Sequence, residues 1–291
     1  MRIVEQAALM QQICRQAVHP LVLVPTMGAL HEGHATLIRH ARKVAGSAGI
    51  VAVSVFLNPK QFNSVEDLKK YPQPFEADKI ICEEAGTDLL FHPSVKEMYR
   101  TDTSLNIEET QLSRFLCGAS RPGHFRGVAT VLTKIFNIVM PDKVVFGEKD
   151  WQQLAIVRRL VRDLNFPIEI MGHPTVREGD GLALSSRNAR LSEVERKEAP
   201  KIYQGLQQTA KQVRNGETKV TVLLSAARAA LEAISGAAID YVEIRNEETL
   251  EPLSEITKAS KPRLFVAVNL GNTRLIDNIA LHGQGPDVKN S

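Results

Sequence analysis

The chain has 291 residues, 43% of them hydrophobic, with 36 lysines and arginines against 33 aspartates and glutamates. That is apolar material for one large or two modest globular domains, and near-balanced charge without a long basic run speaks against nucleic acid as the default partner. Cys14, Cys82 and Cys117 are few, scattered and odd in number, which argues against a disulfide framework or a zinc site and for a cytoplasmic setting, and no stretch is apolar enough for a signal core or a membrane span.

In chain order, the first half alternates β-rich runs with helical patterns. Strands are predicted at 21–24, 50–56, 88–91, 143–146 and 168–171. Between them, 34–44 carries Leu37, Ile38, Ala41 and Val44 on one helical stripe, and 151–164 carries Leu154, Val157, Val161 and Leu164. This is the pattern of a Rossmann-like, doubly wound parallel α/β sheet. After Arg190 the composition changes. Ser192-Glu193-Val194-Glu195 is a capping box, predicting a long helix that stops near Asn215-Gly216, followed by a helix over 220–234 and strands at 239–244 and 263–268. The predicted organisation is therefore a sheet domain over 1–175, a smaller α+β lid domain over 176–282 that bears or adjoins the serine loop, and a disordered tail over 283–291.

The candidate chemistry sits at predicted strand-to-helix junctions. Pro25-Thr26-Met27-Gly28-Ala29-Leu30-His31-Glu32-Gly33-His34 runs from an apolar strand through a glycine turn to two histidines three residues apart at a helix start. There, imidazoles and backbone N–H groups can meet a phosphate chain. The alternative is a pair of surface histidines; a zinc reading lacks further ligands. Asn58-Pro59-Lys60-Gln61-Phe62 offers uncharged amides suited to a polyol acid, or simply a turn. Gly147-Glu148-Lys149-Asp150-Trp151-Gln152-Gln153 crowds a lysine, an aspartate and a glutamine at one junction, and an Asp150 cap explains only one of them. Ser185-Ser186-Arg187 combines hydroxyls with a guanidinium behind a loop made flexible by Gly179 and Gly181. The loop from Arg121 to Gly127 either lines the site or caps a helix starting near Val128.

Together these stretches resemble the pantothenate synthetase family, among the class I aminoacyl-tRNA synthetase-like nucleotidyltransferases. The resemblance runs through PTMGALHEGH (25–34), FLNPKQF (56–62), LCGASRPGHFRGVATV (116–131), PDKVVFGEKDWQQL (141–154), PTVREGDGLALSSRN (174–188) and TRLIDNIAL (273–281). It implies ATP-dependent joining of pantoate to β-alanine through a pantoyl adenylate, with Mg²⁺, in a homodimer. It further implies that Met27, Gly28, Ala29, Leu30, His31, Glu32, Gly33 and His34 contact ATP, with His34 the proton donor and His31 beside it. Gly147, Glu148, Lys149, Asp150, Val176, Leu184, Ser185, Ser186 and Arg187 would complete the ATP site, Lys149 and Arg187 on phosphates and Asp150 on the ribose. Gln61 would bind pantoate and β-alanine, Gln153 pantoate, and Asn58 would support that pocket. Asp78 is a weaker candidate for assisting the magnesium ion.

The chain departs from the family pattern at Leu184, usually methionine, at Trp151, usually tyrosine or phenylalanine, and at Gln73-Pro74, usually arginine and threonine. Rival readings fit less well. A nucleotidylyltransferase acting on a phosphate acceptor needs a cationic acceptor pocket, an RNA-binding relative needs more positive charge, and a dinucleotide-binding dehydrogenase needs G-x-G-x-x-G after the first strand.

Overall fold

A computed structural model describes residues 1–257 and 259–281, the Asp67 side chain aside. The tail expected over 283–291 and the end of the second domain at 282 lie outside the described residues. Packing divides the chain into two units. Met1–Glu148 and Gln152–Thr175 form one, and Lys149–Trp151 joins the residues from Val176 on in the other.

The first unit is built on strands β1 (Arg2–Val4), β2 (Leu21–Thr26), β3 (Ile50–Val55), β4 (Leu89–Phe91), β5 (Lys143–Gly147) and β6 (Glu169–His173), all parallel in the order β1-β4-β3-β2-β5-β6. The chain winds from β2 through β3 and β4 to one side and through β5 and β6 to the other. That places the topological switch between β2 and β5, outside whose carboxyl ends open α/β sheets bind their ligands. Helices cover the strands, so β2 reads as an unbroken apolar run whose residues Leu21 to Val24 have no exposed surface. The helix Glu32–Ala45 packs Ile38 and Ala41 against Val22, Val24, Val51 and Val53. β1 is too short to show a period, and only its pairing with β4 makes it a strand.

In the second unit, β7 (Ala237–Asn246), β8 (Pro262–Leu270) and β9 (Thr273–Ala280) form an antiparallel sheet. Its core joins Leu206, Leu223, Leu231, Val266 and Leu270. The long helix expected from Ser192 is two helices, Glu193–Glu198 and Lys201–Arg214, although the Ser192–Glu195 capping box forms as expected. Pro200 separates them: it has no N–H to donate and its ring crowds the carbonyl four residues back. β9 lacks a strand signature in the sequence because Asp277 and Asn278, both only 5% exposed, interrupt its alternation. Cys14, Cys82 and Cys117 are buried thiols outside any disulfide. Among the described residues no helix is long and apolar enough to cross a membrane.

Candidate active site

The turn leaving β2 is held by its own polar groups. The Thr26 hydroxyl donates to the Ser54 carbonyl at 2.9 Å and accepts from the Gly28 N–H at 3.3 Å. Gly28 and Ala29 both take left-handed backbone angles, φ +85° and +53°, which is unstrained for glycine and costs an alanine about 1 kcal/mol or more. Asp78, in the helix Phe75–Glu84, holds that turn: its carboxylate accepts from Ala29 N–H at 2.9 Å and Leu30 N–H at 2.7 Å. Burial pushes the Asp78 carboxyl up, against the pull of those N–H groups. With both oxygens so engaged, the structure assigns Asp78 to the turn and gives no support to the metal-assisting role weighed from sequence.

His31 is the N-cap of the helix Glu32–Ala45. Its Nδ1 accepts from Gly33 N–H at 3.1 Å, and His34 Nδ1 accepts from His31 N–H at 3.3 Å, so the two form a capping box in place of the usual Ser and Glu. A ring nitrogen that accepts a hydrogen bond carries no proton, so each neutral imidazole bears its proton on Nε2. The rings lie 4.2 Å apart between centroids. The site thus presents two Nε2–H donors at a helix N-terminus, an arrangement suited to phosphate oxygens. Glu32, also expected at ATP, gives its carboxylate to Arg39 at 2.7 and 3.1 Å, and that bond holds its carboxyl below the usual range. Its backbone is what remains for a nucleotide.

At the carboxyl end of β3, Asn58 caps the single turn Pro59–Gln61. Asn58 has no exposed surface and Gln61 is 6% exposed. Asn58 Nδ2 donates to Gly127 O at 3.1 Å and to Gln61 Oε1 at 2.9 Å, while its Oδ1 accepts from Lys60 N–H at 3.3 Å and from the Tyr99 hydroxyl at 2.9 Å. Behind Gln61, its carbonyl accepts from His124 Nδ1 at 2.9 Å and Arg121 Nη2 at 3.1 Å. The loop from Arg121 to Gly127 therefore braces the candidate acid site, and its helix begins at His124 rather than near Val128.

In the second unit, Val176 and Leu184 are paired by the Leu184 N–H to Val176 O bond of 2.9 Å, in a hairpin whose turn holds Gly179 and Gly181. The hairpin is tied at both sides. Arg177 pairs with Asp277 at 2.6 and 2.9 Å and stacks over the Tyr203 ring at 3.4 Å, and Arg196 reaches Glu178 and Asp180 at 2.5 and 2.6 Å. These bonds tether the hairpin on both sides of its glycines. Ser185 caps the turn Ser186–Arg190 by accepting from Arg187 N–H at 3.2 Å. Lys149, Ser185, Arg187, Arg274 and Asp277 line one small, shallow recess. Lys149 is fixed through its carbonyl, which accepts from Asn278 Nδ2 at 2.9 Å, while its ammonium lies 3.7 Å from Asp150. Trp151 donates to Glu247 O at 2.7 Å beneath the Arg263 guanidinium, 3.3 Å from its ring centre.

Each unit thus gathers its own part of the candidate set: Met27 to His34, Asn58 and Gln61 in the first, and Lys149, Asp150, Val176 and Leu184 to Arg187 in the second. Gly147 ends β5, Glu148 follows it, and Gln153 is partly buried in the helix Trp151–Asp163. Its neighbour Gln152 is structural, donating to Leu112 O and Phe115 O at 2.9 and 2.7 Å. Sequence reading missed Tyr99 and, although it offered the Arg121–Gly127 loop as lining the site, did not pair His124 with the Asn58–Gln61 turn. Neither stands in a motif that names its partner.

A family model described as Pantoate-beta-alanine ligase matches residues 2–280. Relatives named pantothenate synthetase include one from Akkermansia muciniphila, 51% identical over 262 residues, covering 90% of this chain and 92% of that protein. Another, from Thermotoga petrophila, is 47% identical and covers 96% of this chain and 98% of that protein. The crystal structure of pantothenate synthetase from Thermus thermophilus is 44% identical with a TM-score of 0.90, covering 97% of this chain and 100% of that one. The pantoate-beta-alanine ligase of Francisella tularensis, solved in complex with beta-gamma ATP and beta-alanine, is 33% identical with a TM-score of 0.78, covering 97% and 98%.

Proposed function

The chain belongs to the pantoate–β-alanine ligase family, and from that premise we propose how its own residues carry the ligation. The enzyme uses ATP to join pantoate to β-alanine, through a pantoyl adenylate. In the first step a pantoate carboxylate oxygen attacks the α-phosphorus and the bond to pyrophosphate breaks. In the second, the β-alanine amine attacks the acyl carbon, the bond to AMP breaks, and the amine's proton passes to solvent.

The observation that carries the assignment of roles is the shared tautomer of His31 and His34. Both rings spend Nδ1 on the backbone and keep a proton on Nε2, so both donate hydrogen bonds to phosphate oxygens, and His34 serves the departing pyrophosphate as a hydrogen-bond donor, because a neutral imidazole does not give up its Nε2 proton. Charge that develops there is stabilised by donors fixed in advance by folding. Met27, Gly28, Ala29, Leu30, the Glu32 backbone and Gly33 complete that turn around ATP. Lys149, Ser185, Ser186 and Arg187 meet phosphates, Asp150 takes the ribose, and Gly147, Glu148, Val176 and Leu184 line the nucleotide. Gln61 and Gln153 hold pantoate, Gln61 also receives β-alanine, and Asn58 supports Gln61. No side chain becomes covalently attached, and the reactive acyl phosphate is protected by keeping water out.

Mg²⁺ enters this reading as part of the MgATP substrate. Among the described residues no group of three or more His, Cys, Asp or Glu side chains gathers to hold a metal ion, and the Asp78 oxygens already accept turn amides. In this reading the ion is held mostly by ATP oxygens and water. The reading extends to a homodimer, on family resemblance, and to a reducing cytoplasm, supported by three buried thiols outside any disulfide.

The test is pyrophosphate–ATP isotope exchange with Mg²⁺ and pantoate, β-alanine being left out. Pantoate-dependent exchange supports the adenylate route. Absence of exchange, together with no AMP once β-alanine is added, removes it.

A further inference from the structure

Asn58 is locked in one orientation by groups whose roles cannot be exchanged. Gly127 O only accepts and Lys60 N–H only donates, so Nδ2 must face the first and Oδ1 the second. The second Nδ2 proton then goes to Gln61 Oε1 at 2.9 Å, and the second Oδ1 lone pair receives the Tyr99 hydroxyl at 2.9 Å. Every hydrogen-bonding position of this fully buried amide is taken. Asn58 therefore has nothing to offer a substrate directly. Gln61, by contrast, has spent only its acceptor: among the described residues its Nε2 makes no hydrogen bond, and it is not among the buried side-chain atoms left without a partner.

We propose that Tyr99 and Asn58 are positioning residues that fix the Gln61 side-chain amide as a donor to the acid substrate, so that this position recognises a carboxylate or hydroxyl oxygen and discriminates against a donor. The inference rests on the reading above that Gln61 takes pantoate. Tyr99 is itself well placed for the task. It follows the short helix Val95–Met98, its ring packs 6.1 Å from Phe56, and the Lys60 and Lys134 ammonium groups lie 4.7 and 6.0 Å from its centre. Cations over the ring face draw electron density from the phenol and strengthen its O–H as a donor. Burial also pushes the Tyr99 phenol up, so it remains a donor at any working pH. Reversing the Gln61 amide would set its NH₂ against the Asn58 NH₂, a donor facing a donor. Loss of the hydroxyl frees one Oδ1 lone pair and loosens the amide that holds Gln61.

The experiment measures pantoate KM, ATP KM and kcat for pyrophosphate exchange in the wild type, Gln61→Ala, Tyr99→Phe and the double variant, with thermal midpoints for each. Gln61→Ala is expected to raise pantoate KM about tenfold or more, and Tyr99→Phe about three- to tenfold, the size of one neutral hydrogen bond. ATP KM should stay within about twofold, and in the Gln61→Ala background the Tyr99 change should add less than about twofold, because two residues of one relay are not additive. An unchanged pantoate KM in Tyr99→Phe, or an equal effect in both backgrounds, overturns the relay while leaving Gln61 in the pocket. An unchanged pantoate KM in Gln61→Ala overturns the pocket reading itself, and the relay falls with it. Should Tyr99→Phe lose its fold, Asn58→Asp replaces it: the new oxygen faces Gly127 O and Gln61 Oε1, and the same selective rise in pantoate KM is required.

Discussion

Gly127 lies so close to Lys60 that a β-carbon on it would sit 2.2 Å from the Lys60 carbonyl oxygen and 2.5 Å from the carbonyl carbon. Both neighbours are backbone, so no side chain can swing aside to relieve the clash. The contact is what brings the Gly127 carbonyl within reach of Asn58. Gly127→Ala is therefore expected to destabilise the protein by about 1–3 kcal/mol and to raise pantoate KM more than ATP KM. Chemical denaturation and steady-state kinetics on the same preparation check both, and an unchanged pantoate KM would count against the brace.

His34→Ala removes an Nε2–H donor and the acceptor for His31 N–H, at the helix terminus rather than in the core. Pantoate-dependent exchange should fall about a hundredfold or more, with a thermal midpoint lowered by only a few degrees, since a lost cap costs about 1 kcal/mol. Near-normal exchange would contradict its role as a donor to the phosphates.

Gln153→Ala should weaken pantoate saturation about tenfold while ATP binding is largely kept, the loss of one or two hydrogen bonds to the acid. Unchanged pantoate saturation would take Gln153 out of the acid pocket.

Asp78→Asn tests the hold on the turn. The amide keeps one acceptor, and its NH₂ would face a backbone N–H of Ala29 or Leu30. ATP KM should rise and exchange kcat fall, each by roughly tenfold for a displaced donor array, with pantoate KM little changed. A variant with wild-type ATP kinetics would show that the turn holds its shape without the carboxylate.

The hairpin brace carries a pH signature. Burial works to raise the Asp180 carboxyl, but the Arg196 hydrogen bond and the Leu182 N–H outweigh it and hold the group below its ordinary value. A carboxyl depressed in the folded state contributes stability above its unfolded pKa, about 3.9, and that contribution disappears as pH falls through the lower folded value. Carbon-detected NMR of the Asp180 carboxyl should show a midpoint below about 3.9, the ordinary value for Asp, moving upward in Arg196→Ala. An unmoved midpoint would mean that the pair contributes nothing in solution. Because Asp180 is substantially exposed, salt should weaken the effect.

Elements whose signal is local are legible along the chain. Continuous apolar runs marked β2 and β3 because strands buried on both faces have no polar side to show. The stripe of Leu37, Ile38 and Ala41 marked the helix above them, and Ser192 to Glu195 announced its own cap. His31 and His34 were legible as a pair for the same reason: three residues at a helix start are always neighbours. The partners of the site are set by contacts between distant segments. Tyr99 meets Asn58 across 41 residues, Leu30 meets Asp78 across 48, and Gly127 meets Asn58 across 69. A hydrogen bond requires its atoms within about 3 Å and correctly oriented, and residue type alone does not say which distant group the packing of strands and helices will deliver to that distance. So the residue types that perform the chemistry could be read along the chain, whereas the groups that hold them in one orientation became visible only where the fold brings distant segments into contact.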